Sequence, residues 1–326
     1  MLEPEQIDSF LFSAKAHAKV NLHLGVGNSR ADGFHELVSV FQSLDAHDTV
    51  TLSESEGAAP RGTHVRAINV SGPYAAGVPA DQSNLAWRAV DAVATRLAEK
   101  FGPRELSVVE LELHKEIPAA GGMAGGSADA AAALRLADSC FSRAYDIRSL
   151  GEDELFSLAA DLGSDVPFTL LGGTALGTGR GEQLTPMLAR GRYTWALITS
   201  KEGLSTPSVF QKLDELRSQG KGSSPSLDTT RVSQALISGD PERLAGELKN
   251  DLQAAALSLR PDLRKVLDVG QEAGALAGIV SGSGPTCAFL CPDKATAAEV
   301  VFQVTMAVPG TKGLISSSPG SGAHLI

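Results

Sequence analysis

Residues 16–24, AHAKVNLHL, alternate: Val20, Leu22 and Leu24 fall on one face, and Lys19, Asn21 and His23 on the other. A period of two predicts a half-buried strand whose polar face points somewhere particular. Glycines and Asn28-Ser29 break the run, and HELVSVFQSLDAHDTVTL, from His35, reads as further strand. SESEGAAPRGT, from Ser53, reads as a hairpin or an exposed loop. From Ser83 the period changes: in SNLAWRAVDAVATRLAEKFG apolar residues recur at helical spacing behind a Ser or Asn cap, and Gly102 closes the helix. Residues 106–113, LSVVELEL, return to strand and run into KEIPAAGGMAGGSADAAAALRLAD, a strand, a glycine loop and a helix that starts near Ser127.

A further helix, DELFSLAADLG, precedes SDVPFTLLGGTALGTGRGEQLTP, whose glycines and Thr and Leu runs suggest turns between strands. Composition shifts at PMLARGR, residues 186–192, so the chain divides into residues 1–185 and 186–326. In the second part YTWALITS and AGIVSGSGPTCAFL read as strand, and stretches around 207–217, 241–258 and 262–273 as helix. SQGKGSSPSLDT, residues 218–229, is small and polar and reads as a flexible surface loop. The end, SSSPGSGAHLI, reads as a loose tail, and no internal repeat is present.

A chain of 326 residues, 43% hydrophobic and 20% charged, is long enough for two domains with a core that needs no disulfide or metal staple. Acidic residues outnumber basic ones, 38 to 28, and no long basic run offsets them. That argues against a duplex-binding surface, yet leaves room for an anionic small ligand, because helix N-termini and loop amides hold phosphate without bulk positive charge. The three cysteines, Cys140, Cys287 and Cys291, are too few and odd in number for a disulfide framework and fit a reducing compartment. Cys287 and Cys291 lack a matching Cys or His pair, which favours buried small hydrophobes over a zinc site. MLEPEQIDSF has no signal pattern and no run of ~18 apolar residues occurs, so a soluble cytoplasmic protein is expected.

Of 34 glycines, 11 fall between residues 121 and 181, where an even spread would place about six. Four of them, at 121, 122, 125 and 126, open directly into an Ala-rich helix. Glycines allow close approach and positive φ, while a helix N-terminus offers unpaired N–H groups and partial positive charge, so the segment reads as a phosphate cradle. A Walker loop is excluded, since Ser127 follows Gly126 with no lysine between, and Gly220-Lys221 has Glu215 where the first glycine belongs. Gly25-Val26-Gly27 fails the dinucleotide fingerprint because Arg30 holds its last position. Ser281-Gly282-Ser283-Gly284 is a second glycine cluster, readable on its own as a plain turn. Taken singly, Asp165 reads as a turn-stabilising aspartate and Lys19 as a solvated lysine.

Three motifs stand in a telling order: AHAKVNLHLGV, PAAGGMAGGSADAA and VSGSGPTCAFL. Together they resemble the GHMP kinase superfamily, and RADGFHELVSVFQSLDAHD, LGSDVPF, GRGEQLTP and TPSVF resemble one branch of it, which phosphorylates a hydroxyl of a cytidine-diphosphate-linked polyol. The resemblance covers residues 14–292 or so and implies a two-domain α+β fold. Its N-terminal domain would be like the second domain of ribosomal protein S5, its C-terminal domain ferredoxin-like, with ATP, Mg²⁺ and a small-molecule substrate meeting between them in a monomer or homodimer.

By motif position, the resemblance makes Asp165 the catalytic base and Lys19 the lysine that orients it, with Asn21 holding the substrate. Pro118, Ala119, Ala120, Gly121, Gly122, Met123, Ala124, Gly125, Gly126 and Ser127 match the ATP phosphate loop, and Asn84 a position near the adenine. Phe34, His35 and Phe210 match a pocket that sandwiches and hydrogen-bonds cytosine, with Thr206 and Pro207 beside it; composition alone would assign both phenylalanines to the core. Departures are His17 for a usual proline, Phe34 for tyrosine, Ala124 for a glycine, and Ala128, which lacks a hydroxyl. Rival readings are a homoserine or mevalonate type of GHMP kinase, or a non-catalytic nucleotide-binding member of the fold.

Overall fold

The computed structural model describes residues 11–30, 33–103, 105–118 and 121–326. Two long strands, β1 (Leu11–Ser29) and β2 (His35–Glu54), pair antiparallel and form the spine. The alternation of β1 is present, but the polar face is covered too: Lys19, Asn21 and His23 are all buried. Asn21 faces Phe41 and His23 faces Val40, so Leu22 is an extra residue on β1; between His17 and Lys19 the extra residues lie on β2. Such bulges bend and twist a ladder, and these two bracket Lys19 and Asn21.

β3 (Val65–Ser71) runs parallel to β4 (Val109–His114), joined to it by α1 (Leu85–Phe101). α2 (Gly125–Ala144) and α1 pack their apolar faces on the sheet. α3 (Glu152–Leu162) follows, then α4 (Val166–Leu171), β5 (Thr174–Thr178) and β6 (Gln183–Pro186). α4 corrects the expectation of turns and strands only: Pro167 sits in its first turn, where no N–H is needed, and Gly172, at φ 72°, ends it.

The second sheet begins with β7 (Tyr193–Ser200), and α5 (Thr206–Ser218), α6 (Thr230–Ser238), α7 (Pro241–Ala245), β8 (Lys249–Asn250), α8 (Gln253–Leu259) and α9 (Asp262–Glu272) follow. Thus the helix expected over 241–258 is two short helices split by β8. β9 (Ala277–Val280), β10 (Cys287–Cys291), α10 (Lys294–Ala307), β11 (Thr311–Ser318) and β12 (His324–Leu325) complete the chain. The first sheet runs β12-β1-β2-β4-β3, with β5, β6 and β8 attached, and the second β11-β7-β10-β9, all antiparallel. One core joins β1, β2 and β4 to α1 and α2; the other lies under α5, α8, α9 and α10 and takes Leu24 and Val26 from β1. β1 therefore crosses from one core to the other, and Lys19 and Asn21 lie just before the crossing. We propose the boundary at residues 186–192, with β8 and β12 returning to the first sheet.

The expectation of a loose tail is corrected. The C-terminal segment is docked: Ala14 pairs with Leu325, Gly320 N donates to Ser43 O (2.8 Å), and Ala323 N to Thr169 O (2.9 Å). Its glycines permit that approach, since a Cβ on Gly322 would stand 2.3 Å from Leu170 O and one on Gly320 2.4 Å from Leu44 O. His17 stacks on His324 there, at 5.4 Å between ring centroids. Within residues 218–229, an irregular and largely exposed loop, Ser226 lies against β1, where His23 Nε2 hydrogen-bonds Ser226 O (2.8 Å) and Ser226 N donates to Asp251 Oδ2 (2.9 Å). The cysteines are all buried and unpaired, and burial pushes the thiols up, to about 11 for Cys140 and Cys291 and about 12 for Cys287. Among the described residues no helix is long and apolar enough to cross a membrane.

Candidate active site

A cleft of about 360 Å³ opens where β1 passes between the two cores, and the chemistry-bearing residues converge on it. Lys19 and Asn21 form its floor; the start of α2, the head of α4, the 281–284 turn and the start of α5 form its walls. A larger open depression of about 990 Å³, between β11, α10 and residues 45–47, contains none of the glycine loops.

Lys19 Nζ donates to Asn21 Oδ1 (2.7 Å), lies 3.6 Å from Asp165 Oδ2, and stands over the Phe41 ring at 5.3 Å. Asn21 Nδ2 donates to Ser39 Oγ (2.7 Å), which donates to His23 O (2.9 Å), so the network fixes which way the amide faces. The Lys19 side chain is 4% exposed and that of Asp165 36%. Asp165 heads α4 but makes no capping hydrogen bond to it. Its carboxylate is therefore not spent on the turn; it is open to the cleft and backed by a buried ammonium.

Facing it is the glycine loop. Gly122 (φ 85°) packs on the 281–284 turn so closely that a Cβ would stand 1.8 Å from Ser281 O; Ser281 Oγ donates to Gly122 O (2.8 Å), and Lys19 N donates to Met123 O (3.1 Å). The second glycine cluster is thus the seat of the first. Met123 is buried and anchors the loop, and Pro118 stands at its base, outside the cleft lining. Ala119 and Ala120 lie outside the described residues. α2 has no side-chain N-cap, so the N–H groups of Gly125, Gly126 and Ser127 lack intrahelical acceptors, the arrangement that binds anions.

Ala124 adopts φ 59°, ψ 32° at the head of this helix. A left-handed L-residue costs about 1–2 kcal/mol, and glycine's extra unfolded-state entropy offsets about half of that. Ala124→Gly is therefore expected to stabilise the fold by about 0.5–1 kcal/mol. A lowered urea midpoint would show that the methyl group packs better than its backbone strain costs.

Behind the loop, Lys115 is fully buried between Asp48 and Asp129; its Nζ donates to Asp129 Oδ2 (2.5 Å) and to Asp48 Oδ2, and lies 3.5 Å from Gly125 O. Asp48 Oδ1 accepts from Glu116 N (2.5 Å) and Ile117 N (2.8 Å), whereas Asp129 Oδ1 has no partner. Burial pushes both carboxyls up, Asp129 to about 7; Lys115 is also raised, because its two carboxylate partners outweigh the opposing effect of burial.

At the far end, the His35 and Phe210 rings meet at 5.1 Å and 36°, and His35 Nε2 hydrogen-bonds Asp214 Oδ1 (2.9 Å), one helical turn beyond Phe210 on α5. Thr206 Oγ1 hydrogen-bonds Ser283 Oγ (2.8 Å), and Pro207 occupies the first turn of α5. Phe34 is 53% exposed and lies under the Arg180 guanidinium (5.8 Å). Phe210, Thr206 and Arg180 line the cleft; Phe34, His35 and Pro207 stand behind or beside it. Asn84 is not brought in. Its Oδ1 accepts from Ala86 N (2.9 Å) and its Nδ2 donates to Pro79 O (2.7 Å), so its amide caps α1, and the neighbouring Leu85 lines the cleft instead. Sequence reasoning gave no role to Ser39, Asp214, Arg180 or the Lys115 cluster; for Asp214 the spacing of four from Phe210 was the available signal.

These features define a phosphotransferase cleft, and comparison with known proteins assigns its class. The models for the GHMP kinases N terminal domain and the GHMP kinases C terminal match residues 84–173 and 232–308, and the chain belongs to the GHMP kinase family. The chain is 51% identical to a 4-diphosphocytidyl-2-C-methyl-D-erythritol kinase of Corynebacterium diphtheriae, over 97% of this chain and 98% of that protein. Within the family it therefore stands with the 4-diphosphocytidyl-2-C-methyl-D-erythritol kinases. A crystal structure of 4-(cytidine 5'-diphospho)-2C-methyl-D-erythritol kinase superposes with a TM-score of 0.73 at 27% identity, over 95% of this chain and all of that one. A homoserine kinase from Cytophaga hutchinsonii, at 18% identity, TM-score 0.71 and full coverage of both chains, shares the fold alone.

Proposed function

We propose that the chain transfers the γ-phosphate of ATP to the 2-hydroxyl of 4-diphosphocytidyl-2-C-methyl-D-erythritol, giving the 2-phosphate and ADP. The product continues along the non-mevalonate route to isopentenyl diphosphate and dimethylallyl diphosphate, in the cytoplasm. The observation that carries this reading is an open carboxylate, Asp165, paired with a buried ammonium, Lys19, at 3.6 Å and facing the uncapped start of α2.

Phosphoryl transfer passes through a loose transition state, so positioning and charge stabilisation do most of the work. The amides of Gly125, Gly126 and Ser127 receive the ATP phosphates. Asp165 accepts or orients the proton of the attacking hydroxyl, and Lys19 holds that carboxylate in place and offsets charge on the transferring oxygens. Asn21, turned by Ser39, fixes the polyol. Phe210 and Phe34 stack on cytosine while His35, held by Asp214, meets its edge. Among the described residues no three His, Cys, Asp or Glu side chains converge on a metal site. Mg²⁺ itself is bound largely through nucleotide phosphates and water and asks few donors of the protein. The Ser127 hydroxyl, in the cleft lining at the start of α2, is the side-chain donor we assign to it, and when bound it would supply charge neutralisation at the phosphates.

A coupled ADP-release assay over the cytidyl substrate, homoserine and mevalonate tests the reading, and turnover of either other compound in preference would overturn it. Base stacking on an aromatic ring is worth about 1–3 kcal/mol, so Phe210→Ala is expected to raise KM for the cytidyl substrate about tenfold or more while the ATP KM stays within about twofold. Equal losses for both ligands would remove Phe210 from the base pocket.

A further inference from the structure

We infer that Arg180 recognises the diphosphate of the substrate and braces Phe34 against the base, so that it sets the preference for a nucleoside diphosphate over a free nucleoside. The inference deepens the proposed function and rests on it. Among the described residues lining the cleft, Lys19 and Arg180 are the cations and Asp165 the one acid. Lys19 is buried and already committed to Asn21 and Asp165. The Arg180 side chain is 53% exposed, and among the described residues the carboxylate paired with its guanidinium, Glu182 Oε1, is 3.9 Å away, a long surface contact of little worth. Against a net charge of −10, a local cation favours the entry of an anionic substrate.

Its backbone is held as a functional residue's would be. Gly181 N donates to Thr178 O (3.0 Å), Arg180 N donates to Glu182 Oε2 (2.7 Å), and Leu37 N donates to Gly179 O (2.9 Å). Gly179 and Gly181, at φ 73° and 104°, let the turn close, and Gly181 rests against Phe41, the ring that also carries Lys19. Arg180 is thereby fixed relative to the reacting end of the cleft.

Its guanidinium covers Phe34, so it is fixed relative to the base end as well. In the substrate a diphosphate joins the cytidine to the polyol and must pass between those two ends. The ATP phosphates are served by the start of α2, in the proposed function. A planar guanidinium matches phosphate oxygens in pairs, and an ammonium matches them only as a point charge.

The test measures competitive binding of cytidine and CDP to the full chain, with turnover of the cytidyl substrate alongside. Wild type is expected to bind CDP about tenfold or more tightly than cytidine. Arg180→Gln is expected to bring that ratio near one, with the ATP KM within about twofold, and Arg180→Lys to keep part of the ratio. Retention of the full ratio in Arg180→Gln, or equal weakening of cytidine and CDP, overturns the inference while substrate turnover by wild type leaves the proposed function standing. Wild type that turns over no cytidyl substrate and binds neither competitor overturns both.

Discussion

Asp165→Asn lowers kcat by about 10²–10⁴-fold while the KM values for ATP and the cytidyl substrate stay within a few fold. The amide matches the carboxylate in size and keeps one acceptor, so the cleft wall and the head of α4 are preserved. It accepts no proton from the attacking hydroxyl and carries no charge for Lys19, 3.6 Å away, to oppose. Lys19 stays in place because Asn21 Oδ1 still accepts its hydrogen bond at 2.7 Å. The loss therefore belongs to the transition state and appears in kcat, whereas a mere packing defect would raise both KM values. Single-turnover measurement with ATP in excess separates this from slow product release. Near-wild-type kcat would remove Asp165 from the chemistry.

How much of this site was legible depends on how far its signals are separated along the chain. Lys19 and Asn21 show themselves by alternation within one strand, and the glycine loop by four glycines running into a helix. What no local pattern revealed is that the polar face of β1 is buried, because its cover comes from residues 281–284 and from Ser226, both about 200 positions or more away. The resemblance sets Asn84 near the adenine and its motif position borders the cleft, but an Asn before a helix is first of all a cap, and this one uses its amide there. The C-terminal segment and residues 218–229 read as mobile because small polar residues are associated with linkers. In this fold, the same small size lets backbones touch, as Gly25 and Gly322 do. α10 has no counterpart in the expected elements since Ala, Val, Phe and Met occupy nearly all its faces and no amphipathic period emerges.

The Lys115 cluster is the part of the site least visible in sequence and the most sensitive to a single change. Lys115→Met is expected to destabilise the fold by about 3–5 kcal/mol, because it leaves two carboxyls buried without their cation. One ammonium serves two carboxylates here, and they are not equal. Asp48 has two backbone N–H donors besides Lys115, while Asp129 has Lys115 alone and an unpaired Oδ1. Asp48 therefore keeps the charge and Asp129 takes up a proton, in line with its rise from 3.8 to about 7. A carboxyl raised in the folded state binds a proton that the unfolded chain has lost. Its stabilising contribution is full below about 3.8 and is lost as pH rises through about 7. Asp129→Asn removes that dependence, so urea unfolding at pH 5.5 and pH 8 should show the variant gaining on wild type as pH rises. A variant that instead loses ground to wild type as pH rises would mean that Asp129 is held as a favourable anion. Lys115→Met should move oppositely, with its loss larger at pH 8, where the orphaned carboxyls resist ionisation most. Because Lys115 Nζ reaches Gly125 O at the head of α2, its loss also loosens the phosphate loop, and the surviving folded enzyme should show a raised ATP KM at little changed KM for the cytidyl substrate.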